Sequence, residues 1–496
     1  MIPRIPAGRR RLGCRDVPPE SSVPAEVLSA VDHLRTRAGV ALELGERFAS
    51  AGHELALVGG PVRDALLGRW GDDLDLTTDA RPEVVLEVVR GWADAVWDVG
   101  IAFGTVGVRK GEHKLEITTY RAEAYDRESR KPEVSYGASL ADDLRRRDFT
   151  VNAMAVRLPS FEFVDLHGGL DDLAAGVLRT PGTPEASFGD DPLRMMRAAR
   201  FASTLGFTVA PEVVAAMTAM CGRLAIVSAE RVRDELVKLV LGGDPRQGLS
   251  LLVATGLAEL VLPELPALAL EVDEHHRHKD VYEHTLTVLE QAIELESSHE
   301  PVSGPDFVLR FAALMHDVGK PRTRRFESDG GVSFHHHEMV GARMTRKRMA
   351  MLRFSNDLVD EVSLLVELHL RFHGYGEGDW TDSAVRRYVR DAGEQLSRLH
   401  KLTRADCTTR NKKKADRLAR TYDSLEERIA RLSEEEELAA IRPALDGNAI
   451  MAILGIPPGR DVGRAYAFLL ELALDRGPLD VHDAEAELRA WWVTQH

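Results

Sequence analysis

The chain is organised around one stretch, Leu57 to Thr77, whose sequence is LVGGPVRDALLGRWGDDLDLT. An apolar strand is predicted to lead into Gly59 and Gly60, and a short helix follows from Pro61, whose missing N–H costs nothing in a first helical turn. Glycines let backbone N–H groups approach a ligand closely, and a helix N-terminus favours anions. The unit therefore predicts a site for a phosphate-bearing ligand, to which Arg63 adds a guanidinium fork.

Two carboxylates, Asp73 and Asp75, follow in the next predicted strand. Strand side chains alternate, so the pair should share one face while the intervening leucine faces a core. Paired carboxylates repel unless a cation lies between them, Mg²⁺ prefers carboxylate and phosphate oxygens, and two such ions can clamp a phosphoryl transfer. A solvated acidic edge is the alternative, but the preceding Gly-Gly favours a metal site. Glu116 is a candidate third carboxylate or, equally, a solvated strand residue.

Length and charge limit the classes of protein that fit. The chain has 496 residues, of which 44% are hydrophobic and 29% charged, as expected of several domains. The formal net charge of −15 argues against nucleic-acid binding by the whole surface but allows a local basic groove. The three cysteines lie far apart, which suggests neither disulfides nor a zinc–cysteine site. No secretory signal or membrane span is expected, so we expect a cytoplasmic protein, with residues 1–24 as a disordered tail.

Two later stretches combine arginines with acidic residues. In DLRRRDFTVNAMAV, the run that ends at Arg147 is a cationic cluster suited to phosphate, or an exposed helix face. In DDPLRMMRAARFASTLGF, Asp191 and Arg194 are three residues apart and are expected to be neighbours on one helix face, with a surface salt bridge as the alternative. Arg197 and Arg200 continue the spacing but drift about 60° per step, which predicts separate phosphate or primer contacts.

Together with ERVRDELVKLV, these stretches resemble the CCA-adding tRNA nucleotidyltransferases of the bacterial class, within the DNA polymerase beta-like nucleotidyltransferase superfamily. The resemblance covers nearly all of the chain after the N-terminal tail. It implies addition of C, C and A to the 3′ end of tRNA from CTP and ATP, with Mg²⁺ held by Asp73 and Asp75. The nucleotide contacts that it implies are Gly59, Gly60, Arg63, Arg147, Asp191, Arg194, Arg197 and Arg200. The family usually has Glu where Asp190 stands.

The proposed base-reading pair has a direct chemical reason. Cytosine and adenine both present an exocyclic amine donor beside a ring-nitrogen acceptor, whereas uracil and guanine present a carbonyl oxygen beside a ring N–H. A carboxylate that accepts from the amine and a guanidinium that donates to the ring nitrogen therefore select C and A together. Asp191 and Arg194 supply these two groups.

Histidines concentrate from about residue 271, where VYEHTLTVLEQAIEL, FVLRFAALMHDVGK, FHHHEMVGARM, LVELHLRFHG and LTRADCT resemble the HD-domain metal phosphohydrolases. The metal ligands that this resemblance implies are His284, His316, Asp317 and Asp406, with His337 and His369 at positions used around a second metal. Imidazoles and carboxylates suit Mn²⁺, Ni²⁺, Fe²⁺, Co²⁺ or Zn²⁺. Packed core histidines are the alternative.

The expected architecture is an α+β nucleotidyltransferase head with a mixed sheet (25–180), a helical neck that recognises the nucleotide and tRNA (181–268), an all-α HD domain (269–425) and a helical tail (426–496). The expected partners are CTP, ATP and the tRNA acceptor arm, with no membrane and no obligate protein partner. A poly(A) polymerase and a partial enzyme that adds only CC or only A remain alternatives. So does a phosphohydrolase whose first domain only binds RNA. Residues 122–137 read as a full-length mobile loop, which favours addition through the terminal A because CC-only relatives shorten it.

Overall fold

A computed structural model describes residues 25–37, 39–71, 73–97, 101, 104–120, 139–269, 280–328, 332–374, 380–408, 411–436 and 441–495. The predicted tail (1–24) and the predicted loop (122–137) lie outside these residues. Contacts divide the chain into two compact units, the first ending at Thr183 and the second beginning at Pro184. Each unit is described separately below.

The first unit is built on a seven-stranded mixed sheet in the order β3-β4-β5-β2-β1-β6-β7. Its strands are β1 (Leu55–Val58), β2 (Asp73–Thr78), β3 (Ala95–Trp97), β4 (Thr105–Lys110), β5 (His113–Thr119), β6 (Met154–Leu158) and β7 (Glu162–Asp165), and β8 (Val177–Leu178) follows. Its helices are α1 (Ala25–Arg37), α2 (Gly39–Ser50), α3 (Gly60–Leu66), α4 (Pro82–Val89), α5 (Leu140–Arg145) and α6 (Gly169–Ala175). Strands β2 and β5 run parallel and the other pairs are antiparallel, which confirms the predicted α+β head.

The core of this unit lies under the strands that carry the glycines and the aspartates. All four residues of β1 are buried, and β2 alternates from its first residue, with Asp73 and Asp75 exposed and Leu74 and Leu76 buried. This confirms the predicted alternation. Burial of each leucine side chain contributes about 1.5–3 kcal/mol, so the register that turns both aspartates outward is set by the leucines between them.

Two helix predictions in this unit were wrong in their bounds. The apolar spacing of residues 29–50 predicts one amphipathic helix, but the structure has α1 and α2, and α2 begins at Gly39. Glycine in a helix interior costs roughly 1 kcal/mol relative to alanine, which favours a break at this position. The valines between residues 82 and 92 predict a helix over that range, but α4 ends at Val89 because Gly91 adopts a left-handed φ of 69°.

The second unit is almost entirely helical, as predicted for the neck and the HD domain. Its helices before residue 270 are α7 (Pro184–Asp190), α8 (Leu193–Leu205), α9 (Pro211–Met220), α10 (Ala229–Val240), α11 (Pro245–Ala254) and α12 (Ala258–Val261), with β9 (Thr208–Val209) after α8. Then follow α13 (Val281–Ser298), α14 (Phe307–Met315), α15 (Lys320–Thr323), β10 (Arg325–Phe326), β11 (Val332–Ser333), α16 (His337–Met351), α17 (Asn356–Leu368), α18 (Asp382–Ala392), α19 (Leu396–Ala405) and α20 (Lys412–Glu436). The last three helices are α21 (Gly447–Leu454), α22 (Arg460–Arg476) and α23 (Val481–Gln495). Within the described ranges, no helix has both the length and the apolar character that a bilayer crossing requires.

A buried ion pair joins the helices of this unit. Arg310 on α14 and Glu296 on α13 are each 4% exposed, and the guanidinium donates to both carboxylate oxygens at 2.7 Å. The same guanidinium donates through Nη1 to the carbonyls of Val240 at 2.9 Å and Gly242 at 2.8 Å, at the end of α10. These carbonyls lack partners within their own helix, so Arg310 caps α10 as well as pairing with Glu296.

Candidate active site and metal centre

The structure brings Gly59, Asp75 and Arg147 together at the end of β1. Gly59 has a left-handed φ of 71°, and a Cβ atom there would lie 3.0 Å from Nη1 of Arg147 and 3.7 Å from Oδ2 of Asp75. Any other residue would be strained and would crowd the guanidinium. Nη2 of Arg147 donates to Asp143 at 3.1 Å, which orients the guanidinium above the glycine. A cation, a carboxylate and a glycine backbone without a side chain thus meet where the sequence predicts phosphate binding.

Glu116 lies directly beside the aspartate pair. In the parallel pairing of β2 with β5, its partner is Asp75, and Asp73 pairs with Lys114. Burial, followed by repulsion from Asp75 and Asp73, raises the pKa of Glu116. Three carboxylates on one face of two paired strands fit a hard divalent cation that takes oxygen ligands. The sequence left open whether Glu116 was a solvated strand residue, and the pairing of β2 with β5 places it beside the pair.

Arg63 takes part in an internal network. Its side chain is 9% exposed, pairs with Asp64 at 2.8 Å and donates through Nη1 to Oδ1 of Asn152 at 2.7 Å. Asn152 in turn donates to Asp148 at 2.9 Å. Arg63 therefore ties the helix after Gly60 to the RRDFTVN stretch. Sequence reasoning had not assigned a role to Asn152, because its partner lies 89 residues away.

Asp191 lies just before α8, where the sequence predicts that Asp190 or Asp191 caps the helix. Oδ1 of Asp191 accepts from the N–H of Leu193, the first residue of α8, at 3.0 Å, and the backbone N–H of Arg194 donates to the carbonyl of Asp191 at 3.0 Å. Oδ2 of Asp191 pairs with Nη2 of Arg231 at 2.7 Å. Arg194 donates through Nη1 to the carbonyl and hydroxyl of Ser187 at 3.2 and 2.9 Å. Each group of the predicted base-reading pair is therefore held by a different neighbouring helix.

Arg197 and Arg200 both face Glu235 on α10. Nε of Arg200 lies 2.7 Å from Oε2 of Glu235, and Nη1 of Arg197 lies 3.7 Å from Oε1. Glu235 is buried, and Arg200 also lies over the ring of Phe201, with 4.0 Å between Cζ and the ring centroid. Arg200 is only 15% exposed, whereas Arg197 is 34% exposed. The sequence predicts separate contacts for the two arginines, and in the structure both contact the same glutamate, Glu235.

Five helices of the HD region bring histidine and aspartate side chains to one buried point. His284 lies in the first turn of α13, His316 and Asp317 follow the fully apolar end of α14, and Asp406 follows α19. His337 begins α16 and His369 follows α17. Oδ2 of Asp317 lies 3.2 Å from Nε2 of His316 and 3.5 Å from Nε2 of His284, while Oδ1 lies 3.2 Å from Nε2 of His337. Oδ1 of Asp406 lies 3.0 Å from Nε2 of His284.

The histidine rings are oriented as metal ligands are. Nδ1 of His316, His337 and His369 lies 2.7–2.8 Å from the carbonyl three residues earlier, so each Nδ1 donates its proton there and Nε2 is the nitrogen left to bind a cation. All three Nε2 atoms are buried, and those of His316 and His337 lie 3.2 Å from the carboxylate of Asp317. Buried imidazole nitrogens that converge on one carboxylate fit a cation between them better than packed core histidines.

Burial and charge act in opposite directions inside this cluster. Burial lowers the pKa of His316, but Asp317 and then Asp406 outweigh it and raise that pKa to about 10. Burial, and then the neighbouring His316, lower the pKa of His369 to about 3. Against its own burial, His316 holds the pKa of Asp317 well below its usual range. Asp317 is therefore an anion and His369 a neutral imidazole at neutral pH, whereas His316 holds a proton that a metal bound at its Nε2 would displace.

The two oxygens of Asp317 serve two candidate sites. One is formed by His284, His316 and Asp317, and the second by Asp317, His337 and His369, with the ligand atoms of each within 4.8 Å of one another. Sequence reasoning missed two residues beside them. Lys320 pairs with Oδ2 of Asp317 at 2.6 Å, and the hydroxyl of Thr408 lies 3.1 Å from Nδ1 of His284. The helical step from Asp317 to Lys320 is the signal that was available for the lysine.

Comparison with known families identifies three domains along the chain. Residues 55–179 match the poly A polymerase head domain, residues 206–268 match the family described as the probable RNA and SrmB-binding site of polymerase A, and residues 281–421 match the HD domain. Fold and sites together define a nucleotidyltransferase that carries an HD domain, and both kinds of domain typically use divalent metals.

Full-length similarity identifies the family within that class. The chain is 35% identical over 425 residues to an A-adding tRNA nucleotidyltransferase of Deinococcus radiodurans. This match covers 84% of this chain and 90% of the relative. The chain belongs to the tRNA nucleotidyltransferase family, which confirms the resemblance read from the sequence motifs. A CCA-adding enzyme of Levilactobacillus brevis is 40% identical, but the match spans only 46% of this chain and 56% of that enzyme.

Solved structures of CCA-adding enzymes share the fold of this chain. The CCA-adding enzyme of Bacillus stearothermophilus in complex with CTP superposes with a TM-score of 0.62 at 25% identity, covering 92% of this chain and 97% of that one. The CCA-adding enzyme of Thermotoga maritima, solved with tRNA_CCA, has a TM-score of 0.57 at 18% identity, covering 94% of this chain and 98% of that one.

Proposed function

We propose that this protein adds C, C and A to the 3′ end of tRNA from CTP and ATP, without a nucleic-acid template, in the cytoplasm. In each step the terminal 3′ oxygen of tRNA bonds to the α-phosphorus of the nucleotide, pyrophosphate leaves, and the hydroxyl proton goes to solvent or a nearby base. The observation that carries the proposal is the meeting of Gly59, Asp75 and Arg147 beside Asp73 and Glu116. Carboxylates that can hold a metal, a guanidinium and backbone N–H groups are the groups that this transfer requires.

The head residues have separate tasks in this proposal. Asp73 and Asp75 hold Mg²⁺, which when bound neutralises phosphate charge. Arg147 donates to a phosphate oxygen of the nucleotide, and the N–H groups around Gly59 and Gly60 do the same. Arg63 positions the helix that follows the glycines through Asp64 and Asn152.

Residues of the second unit read the base. Asp191 accepts from the exocyclic amine of cytosine or adenine, and Arg194 donates to the ring nitrogen. Arg197 and Arg200 support this platform through Glu235, with the more exposed Arg197 available to phosphate or primer.

One observation favours a second candidate. The relative from Deinococcus radiodurans, whose match spans 84% of this chain, is named an A-adding enzyme, whereas the match to the Levilactobacillus brevis CCA-adding enzyme spans 46% of this chain. An enzyme that adds only the terminal A would use the same head carboxylates and the same base-reading pair. The two candidates therefore differ only in whether CTP is a substrate.

Stepwise extension of a defined tRNA separates these candidates. The full-length protein is incubated with a transcript that lacks CCA and with one that ends in CC, using CTP alone, ATP alone or both, and products are resolved to one nucleotide. The proposal expects two additions with CTP, one with ATP on the CC transcript, and three with both. An A-adding enzyme extends only the CC transcript, and a poly(A) polymerase produces long tails with ATP.

We propose that the HD cluster binds a transition metal and hydrolyses phosphorylated RNA ends or 2′,3′-cyclic nucleotides slowly. The buried Nε2 atoms of His316, His337 and His369 and the contacts of both Asp317 oxygens support this proposal. A bound divalent cation such as Mn²⁺, Ni²⁺, Fe²⁺, Co²⁺ or Zn²⁺ supplies Lewis acidity at this point. Among the protein groups, Lys320 lies beside Asp317 with an ammonium that can pair with a substrate phosphate.

A further inference from the structure

The carboxylate of Asp191 is held at both of its oxygens. Oδ1 accepts from the N–H of Leu193, two residues later, and Oδ2 accepts from Nη2 of Arg231 at 2.7 Å. The first contact belongs to the turn that starts α8, while the second comes from α10, 40 residues along the chain. Asp191 is 20% exposed, so a nucleotide base can still reach it. A carboxylate accepts about four hydrogen bonds, which leaves capacity for an amine.

The residue that reaches Asp191 is itself part of a fixed surface. The hydroxyl of Ser228 caps the start of α10 by accepting from the N–H of Arg231. One turn further along α10, Glu235 faces Arg197 and Arg200 of α8. Helix α10 thus contacts the α8 segment through two ion-pair sites one turn apart. At the first site Arg231 of α10 pairs with Asp191, and at the second Glu235 of α10 faces the two arginines of α8. The side chain of Arg231 is 51% exposed, so its ion pair with Asp191, and not burial, is the contact that holds the guanidinium.

We propose that Arg231 is a positioning residue that determines nucleotide specificity by fixing the Asp191 carboxylate against the base. The inference rests on the proposed role of Asp191 in reading cytosine and adenine. Uracil and guanine place a carbonyl oxygen where the other two bases place an amine. A carboxylate anchored at both oxygens cannot turn away from that carbonyl, so the wrong base meets two facing acceptors.

Loss of this anchor should weaken rejection more than it weakens the correct reaction. Without Arg231, Asp191 is held only through Oδ1 and can rotate away from a carbonyl oxygen. The correct base still offers an amine that draws the carboxylate back into place. The ratio of kcat/KM for CTP over UTP, and for ATP over GTP, should therefore fall roughly tenfold, the factor that about 1.36 kcal/mol of lost discrimination produces.

The test compares four variants of the full-length protein on tRNA ending before the site of addition. Arg231→Ala removes the anchor, and Arg231→Lys retains a charge without the guanidinium fork. Lys238→Ala is the matched control, because Lys238 is an exposed cation two turns further along α10. Arg194→Ala is the reference for a lost base contact. Single-turnover rates are measured with each of the four nucleotides, and thermal unfolding is followed in parallel.

The expected result is a fall in both ratios for Arg231→Ala, an intermediate fall for Arg231→Lys and wild-type ratios for Lys238→Ala. A purely structural role would lower the rates with all four nucleotides and the unfolding temperature together, leaving the ratios unchanged, and that result overturns the inference. Failure of the proposed function has a different signature, since the wild-type protein would then add neither CTP nor ATP to tRNA. If the wild-type protein uses only ATP, the kcat/KM ratio for ATP over GTP alone tests the role of Arg231.

Discussion

Asp73 and Asp75 differ from the other acidic residues of the head sheet because they share an exposed strand face with Glu116 beside them. Replacement of either aspartate by alanine should lower nucleotide addition by at least about a thousandfold, which corresponds to about 4 kcal/mol of transition-state stabilisation. Binding of tRNA should survive because no proposed tRNA contact is removed. Single-turnover extension and a filter-binding assay measure the two properties.

Glu112→Ala is the control for that pair, because Glu112 is an exposed carboxylate at the turn between β4 and β5 of the same sheet. Addition within a few-fold of wild type in both aspartate variants would contradict the metal assignment. Equal losses in the control would show that any charge removed from this sheet impairs the enzyme.

Replacement of Glu116 should impair nucleotide addition less than replacement of either aspartate. Its pKa is raised by burial and by the two aspartates, so it lies close enough to share a cation with them. Glu116→Gln should lower the addition rate by roughly 10- to 100-fold, as loss of a supporting metal contact does. The defect should shrink as the Mg²⁺ concentration rises, since the remaining two carboxylates still bind. Rates measured across a Mg²⁺ titration decide this, and a defect independent of Mg²⁺ would assign Glu116 a structural role.

At the scale of elements, the pairing of Arg310 with Glu296 is the contact on which α10, α13 and α14 depend together. Removal of one partner from a buried pair leaves an uncompensated charge and costs about 3–5 kcal/mol. Arg310→Met should therefore lower the free energy of unfolding by that amount, and Glu296→Gln by a similar or smaller amount. Urea unfolding of each variant measures this. The double variant should cost less than the sum, because the second change removes a charge that the first left unpaired.

The bundle of α18, α19 and α20 carries a pH-dependent term. Burial, which outweighs attraction to Glu426, lowers the pKa of His400 to about 4, and its ring stacks on Tyr388 at an interplanar angle of 5°. A histidine in the unfolded chain has a pKa near 6.5, so between about pH 6.5 and 4 the unfolded state binds a proton at His400 and the folded state does not. Stability contributed by neutral His400 is present above about pH 6.5 and falls as the pH drops toward 4, by about 1.36 kcal/mol per pH unit.

His400→Phe keeps an aromatic ring against Tyr388 and removes the titration. Unfolding free energies at several pH values between 7.5 and 4.5 should therefore show a shallower slope for this variant than for wild type. His482→Phe is the matched control because its side chain is 95% exposed, and its slope should equal that of wild type. Parallel slopes for all three proteins would mean that His400 titrates normally.

At the scale of the whole molecule, the two proposed chemistries belong to different units and should be separable. A His316→Ala, Asp317→Ala double variant should lose bound transition metal and phosphodiesterase activity toward 2′,3′-cyclic nucleotides. Its rate of nucleotide addition should stay within about twofold of wild type, because the head holds its own carboxylates. Metal analysis, hydrolysis and tRNA extension of one preparation test all three statements. Unchanged hydrolysis would remove the catalytic role, and unchanged metal content would remove the site.

Local sequence patterns predicted the features of this molecule that depend on neighbouring residues. Strand alternation at Asp73 and Asp75 and the helix after Gly60 are of this kind, and motif order predicted the head and the HD region. Pro192 likewise predicted a helix start at which Asp190 or Asp191 acts as the cap, and Asp191 does accept from the N–H of Leu193. The pairing of β2 with β5 beside Glu116, and the contact between Arg231 and Asp191, join residues about 40 positions apart. Such contacts arise from tertiary packing, for which a single sequence contains no local signal.

The cap that Arg310 places on Val240 and Gly242 bears on how this protein can be divided. Family boundaries at residues 268 and 281 suggest that the HD region is a separate module. A fragment that begins at residue 281 would retain Arg310 and Glu296 but lose the two carbonyls that accept hydrogen bonds from the guanidinium. The fragment that ends before residue 281 would lose the arginine that caps α10. Recombination or truncation at that boundary therefore cuts through a shared hydrogen-bond network, and the neck and HD regions are expected to be inherited, expressed and purified together.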